Sequence, residues 1–294
     1  MSNFFKRALT GAVFVVVMLG GIYYSYWSLA VLFFIIAMLG LHEFYSLLKF
    51  AKYEPQREVG MFVGAVIFLL FIFRYELFGE MIFTLMVPFI MAIFFAELYR
   101  NVPNPFTNIA LTLTGIIYIV LPFALWVNYA CPYAPVYNKF MDQLIGSFSS
   151  TSKYNPQILI GYFLILWTND TGAYLSGMAL GKHKLWERIS PKKTWEGFWG
   201  GVILSIVVAF FISKIFTGMS PLLWMIIGLL VSVFGTLGDL VESLFKRSID
   251  VKESGGILPG HGGILDRFDG VLLSTPIVLT FVQIAEFISN VVNG

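Results

Sequence analysis

Uncharged apolar runs of about 20 residues recur from one end of this chain to the other, and that pattern narrows the folds open to it. A helix of about 20 residues, rising ~1.5 Å per residue, crosses a hydrocarbon core of roughly 30 Å. Hydrophobic residues make up 58% of the 294 and the mean hydropathy is +0.81. A soluble core of this size would not need so many uncharged spans. The expectation is an all-α, polytopic integral membrane protein with about nine transmembrane helices, near 8–27, 29–48, 60–73, 81–98, 109–130, 157–180, 198–217, 222–242 and 270–291. The first run could compete as a signal peptide, but it is long and lacks an A-x-A-like cleavage site. Residues 1–130 read as N-terminal membrane helices and 131–294 as a region that adds polar loops, the whole forming one membrane-embedded unit. Cys131 is the only cysteine, so an intrachain disulfide and a cysteine-rich zinc site are both excluded.

Basic residues orient the spans. With an inside N-terminus, fifteen of the nineteen Lys and Arg fall on the inner side, and only Arg74, Lys139, Lys153 and Lys214 fall outside. This bias is the positive-inside signature. It places the loops after spans six and eight on the inner face.

The second of those loops, Ser243 to Asp269, is the densest polar stretch of the chain. Eight of its 27 residues are charged, five are glycine, and it holds His261, one of only three histidines. Lys and Arg supply positive charge, glycines let backbone N–H groups approach phosphate oxygens, and carboxylates suit a hard cation such as Mg2+. The competing reading is a solvated inner loop, basic because such loops usually are. Asp239 and Glu242 precede the loop at a spacing of three, which puts both on one helix face, and Asp266 and Asp269 repeat that spacing at its end. A helix cap with an acidic first turn would account for either aspartate alone; two acidic pairs around one Gly-rich loop are better explained by a shared cation.

At these residues the chain resembles the phosphatidate cytidylyltransferases. Ser243, Lys246, Arg247, Lys252, Pro259, His261, Gly262, Gly263, Asp266, Arg267 and Asp269 fall in register with that family's signature, while Glu253 stands where the family usually has Asp and is given no ligand role. The resemblance extends to Ser190, Lys192, Lys193, Thr194, Glu196 and Gly197, and to Asp170-Thr-Gly-Ala-Tyr174, where Thr171 replaces a Ser. It implies catalytic roles for Asp239, Lys246, Arg247, Asp266 and Asp269. Substrate contacts are implied for Asp170, Ser190, Lys192, Lys193, Thr194, Glu196, Lys252, His261, Gly262, Gly263 and Arg267. Asp239, Asp266 and Asp269 would hold Mg2+, with room for a second cation. The implied partners are CTP, phosphatidate and the bilayer, without nucleic acid, and a homodimer is the assembly to test. The implied place is a bacterial inner (plasma) membrane with the site facing the cytoplasm.

An ionised Asp170 inside span six costs about 2.5–3.5 kcal/mol at a helix centre unless it faces a wet cavity or a partner. His183 reads as an ordinary loop histidine, His42 and Glu43 as an interfacial pair, and Gly177 and Gly181 as small residues for close helix packing. Two other functions fit part of the pattern. One is the same transfer to a different lipid phosphate. The other is a secondary transporter of an anionic solute using Asp170 at mid-membrane, against which stand the lack of an inverted repeat and the crowding of motif residues at one face.

Overall fold

A computed structural model describes residues 3–74, 79–131, 154–255 and 262–293. They are helical almost throughout: α1 (Asn3–Tyr24), α2 (Tyr26–Phe50), α3 (Arg57–Ile72), α4 (Ile82–Leu98), α5 (Pro105–Gly115), α6 (Leu121–Tyr129), α7 (Gln157–Leu180), α8 (Trp195–Ile215), α9 (Pro221–Ser248) and α10 (Leu265–Asn293). A short π turn, Ile116–Val120, joins α5 to α6 into one rod. Strands β1 (Lys184–Trp186) and β2 (Ser190–Thr194) form an antiparallel hairpin, the only sheet among the described residues. The apolar runs read from the sequence fall on helices, except that the first, 8–27, runs past the end of α1 at Tyr24 into α2. Five described rods are both long and apolar enough to cross a membrane: α2, α5–α6, α8, α9 and the Leu265–Ile288 part of α10. The chain is an all-α integral membrane protein.

Contacts divide it into two compact units, Phe14–Pro156 and Met1–Val13 with Gln157–Gly294. In the first, Phe33, Phe68, Phe123 and Trp126 form a fully buried aromatic core. Glu97 is only 4% exposed there. Its carboxylate accepts from Gln56 Nε2 at 2.5 Å, Arg100 Nη1 at 2.9 Å and Asn108 Nδ2 at 3.1 Å, the compensation a buried charge requires.

In the second unit, α7, α8, α9 and α10 pack along two seams of small residues. On the first, a Cβ at Gly197 would stand 2.8 Å from the Ala173 carbonyl and 3.3 Å from Gly177 Cα, so α7 and α8 touch backbone to backbone. Gly177 therefore serves the close packing expected of it. On the second, a Cβ at Gly238 of α9 would stand 2.5 Å from the Asp269 carbonyl of α10. Gly238 thus fixes the distance between the helix turns that carry Asp239 and Asp269. Gly238→Ala should push α10 off α9, lower the melting temperature by an amount equivalent to about 1–3 kcal/mol, and reduce turnover. Thermal unfolding in detergent beside an activity assay checks this; an unchanged midpoint would mean the seam yields easily.

Local signals place the ends of these helices. Thr194 caps α8, its Oγ1 accepting from Gly197 N at 3.2 Å. Ser220 caps α9, accepting from Leu223 N at 3.3 Å ahead of Pro221 at the first helical position. Lys246 and Arg247 occupy the last turn of α9, where cations suit the carbonyl end of a helix.

Candidate active site

Between α7, the hairpin, the start of α8, and the facing turns of α9 and α10 lies a cavity of about 470 Å³. Its polar wall carries Asn169 and Asp170 from α7, Lys192, Lys193 and Thr194 from β2, Thr236 and Asp239 from α9, and Arg267 and Asp269 from α10. The rest of the lining is apolar and includes Leu166, Trp167, Met178, Leu185 and Phe198. The lining thus offers both charged groups and apolar surface.

Three carboxylates, Asp170, Asp239 and Asp269, and three cations, Lys192, Lys193 and Arg267, line the cavity. Asp269 is in electrostatic reach of Asp239 and Asp170, and Asp170 in turn of Asp239, Lys193 and Arg267. The Lys193 ammonium is ion-paired with Asp239 Oδ2, whose other oxygen accepts from Ser243 Oγ at 3.3 Å. Asp269 Oδ1 accepts from the Gly270 amide at 2.6 Å. Asp170 therefore lines a cavity with Lys193 and Arg267 in electrostatic reach, away from the isolation in lipid that would cost most.

The expected set is split by the structure. Seven of the expected residues line the cavity: Asp170, Lys192, Lys193, Thr194, Asp239, Arg267 and Asp269. Asp266 and Lys246 belong to a second cluster outside that lining. Lys246 Nζ lies 2.6 Å from both Glu242 Oε2 and Asp266 Oδ1. The Glu242 contact is an ion pair within one helix, four residues apart. Asp266 Oδ2 accepts from the Ser254 and Gly263 amides at 3.0 and 2.9 Å. Lys246 thus bridges one carboxylate of each acidic pair, Glu242 and Asp266. Glu242 and Asp239, though on one helix face, go to different partners.

Gly262 and Gly263 wrap this cluster. Gly262 has φ +80°, and a Cβ there would stand 2.5 Å from Asp266 Oδ2, so only glycine fits. Arg247 is exposed and near the Val251 carbonyl at 3.5 Å, and Lys252 is exposed. Ser190 pairs with Trp186 in the hairpin. Glu196 does not line the cavity; its carboxylate turns back to residues 182 and 183. His261 and Pro259 lie outside the described residues. Asn169 and Thr236 were missed from sequence, although Thr236 stands one helical turn before Asp239 and could have been found by extending that face.

The donors facing the cavity are hard oxygens, the set Mg2+ takes. Among the described residues no three His, Cys, Asp or Glu side chains stand close enough to form a ready-made metal group. By donor chemistry Asp239 and Asp269 fit a divalent cation; Asp239 is ion-paired with Lys193 and Asp266 with Lys246.

Comparison with known proteins points the same way as this chemistry. A family model described as "Cytidylyltransferase family" matches residues 5–285. The chain is 55% identical over 118 residues to a phosphatidate cytidylyltransferase of Staphylococcus saprophyticus, covering 40% of this chain and 45% of the relative. It is 50% identical over 133 residues to one of Staphylococcus aureus, covering 45% and 51%. The chain thus spans about half the length of the curated relatives it matches.

Proposed function

The chain belongs to the cytidylyltransferase family, and from that premise we propose that it transfers the cytidylyl group of CTP to phosphatidate, giving CDP-diacylglycerol and pyrophosphate. The observation that carries this reading is one cavity lined by carboxylates and cations (Asp170, Lys192, Lys193, Asp239, Arg267, Asp269) together with apolar side chains such as Leu166, Met178 and Phe198. A lipid phosphate needs both. The same cavity would also take another lipid phosphate, because acyl chains are met by apolar surface alone. The inner-face bias of Lys and Arg supports a site open to the cytoplasm, in a bacterial inner membrane.

In this reading a phosphatidate phosphate oxygen attacks the α-phosphorus of CTP in line. The new bond is oxygen to α-phosphorus, and the bond broken is that from the α-phosphorus to the bridging oxygen, which leaves with pyrophosphate. A phosphomonoester has its second pKa at about 6 and is largely ionised near neutral pH. The attacking oxygen therefore needs no strong base, and the barrier is one of charge repulsion and alignment. Lys192, Lys193 and Arg267 offset the negative charge of the two substrates. Asp239 and Asp269 would hold Mg2+, which when bound supplies charge stabilisation to the phosphate oxygens. Asp170 completes the acidic wall, and Thr194 and Thr236 offer hydroxyl groups to the same space.

Purified protein in detergent micelles containing phosphatidate is expected to convert CTP to CDP-diacylglycerol with release of pyrophosphate. No sealed membrane should be required, since both substrates meet in one cavity. EDTA should abolish turnover and added Mg2+ restore it. Folded protein that leaves CTP intact in micelles, yet moves an anionic solute across a sealed vesicle, would replace this reading with the transporter.

A further inference from the structure

The two lysines of the cavity wall, Lys192 and Lys193, sit on a hairpin too small to hold itself in place. Its only registered pairs are Lys184 with Thr194 and Trp186 with Ser190, and the register shifts between them. An isolated two-stranded hairpin is marginal at best. What fixes it lies at its root, where the chain leaves α7 and enters α8. Glu196, in the first turn of α8, folds its carboxylate back across that gap. It accepts from the Lys182 amide at 3.1 Å and from the His183 amide at 3.2 Å, and its Oε1 lies 2.6 Å from His183 Nδ1. The Trp195 amide donates to the His183 carbonyl at 2.9 Å. Residues 182–183 and 195–196 are therefore tied at both backbone and side-chain level, while neither His183 nor Glu196 lines the cavity.

We propose that His183 and Glu196 form a positioning clasp that sets the hairpin, and with it Lys192 and Lys193, over the cavity. Glu196 then acts through the two lysines and not on the substrate. This rests on the reading above, in which those lysines meet the CTP phosphates. The clasp is distinct from a generic acidic helix start, which would be satisfied by the α8 amides and would have no use for His183. His183 is 78% exposed in its side chain, so its loss removes no core packing, and any effect it has must pass through the clasp.

His183→Ala should raise the KM for CTP by roughly three- to fivefold, the range of an exposed ion pair. Glu196→Ala, which also strips the backbone amides of their acceptor, should raise it by on the order of tenfold or more. In both variants kcat should stay within about twofold and the phosphatidate KM should not move, because the reacting groups are untouched. Glu196→Gln keeps an acceptor and should fall back to the His183→Ala level, with no further loss when the two are combined. Hydrogen exchange at the Lys182 and His183 amides gives a readout independent of turnover, and should speed up in Glu196→Ala. A loss of kcat at saturating CTP with unchanged KM would overturn the proposal, since Glu196 would then act on the reaction itself. So would wild-type kinetics in both single variants. If the wild-type protein converts no CTP, the functional reading fails, and the exchange rates still decide the clasp: faster exchange supports it, unchanged exchange rejects it.

Discussion

Asp239→Asn and Asp269→Asn are each expected to lower turnover by at least about 100-fold, with protein that still inserts, purifies and melts close to the wild type. Removing one preorganised electrostatic group from a phosphoryl-type transition state typically costs a factor of about 100–1000. Both carboxylates face the cavity, and both lie at a point where α9 and α10 touch through Gly238. An amide keeps the size of the side chain but is a poor ligand for a hard cation beside phosphates. Asp239→Asn has a second consequence, because Lys193 loses its ion-pair partner. That variant should alter the KM for CTP as well as kcat, whereas Asp269→Asn should act on kcat alone. Steady-state kinetics at varied CTP separates the two. Near-wild-type turnover in either variant would remove that carboxylate from the reaction.

These two aspartates were legible in the sequence as members of two acidic pairs, each spaced by three, around one Gly-rich loop. Asp170 was legible because charge inside an apolar helix is costly and needs a reason, and Lys193 and Arg267 through their place in ordered motifs. Spacing located faces of helices; it could not name partners. Asp239 and Glu242 do share a face, but Glu242 is only 1% exposed and meets Lys246 from its own helix, while Asp239 opens to the cavity and meets Lys193 from a hairpin 46 positions earlier. Which carboxylate takes which ammonium is settled by how four helices close, and that is not a local property. Glu196 was read as a substrate contact through the family resemblance of the stretch from Ser190 to Gly197; its carboxylate accepts from the Lys182 and His183 amides, which spacing could not show. The apolar lining of the cavity left no mark at all, since Leu166, Met178 and Phe198 look like any residues of a membrane helix. The helices themselves were the easiest part, because their length follows from the thickness they must cross.

The roles of Lys246 and Asp266 give the other large effect, and here the expected failure is one of folding. Lys246→Met is expected to destabilise the protein by about 3–5 kcal/mol, the usual consequence of stripping one partner from a buried ion pair. Its side chain is 13% exposed, with Glu242 at 1% and Asp266 at 12%, so the two carboxylates left behind have little water to turn to. Asp266 would retain the Ser254 and Gly263 amides; Glu242, 1% exposed, would lose its ion-pair partner. Adding Glu242→Gln to Lys246→Met should therefore recover much of the loss by removing a buried charge that has no counter-ion. Thermal unfolding in detergent, run on the two single variants and the pair, measures this coupling directly. A purely catalytic lysine predicts a different result: Lys246→Met would melt with the wild type and fail only in turnover, and Glu242→Gln would rescue nothing. A strongly non-additive pair would instead place Lys246 as the pin that holds the end of α9 to the start of α10, so that Asp239 and Asp269 face each other across the cavity before any substrate arrives.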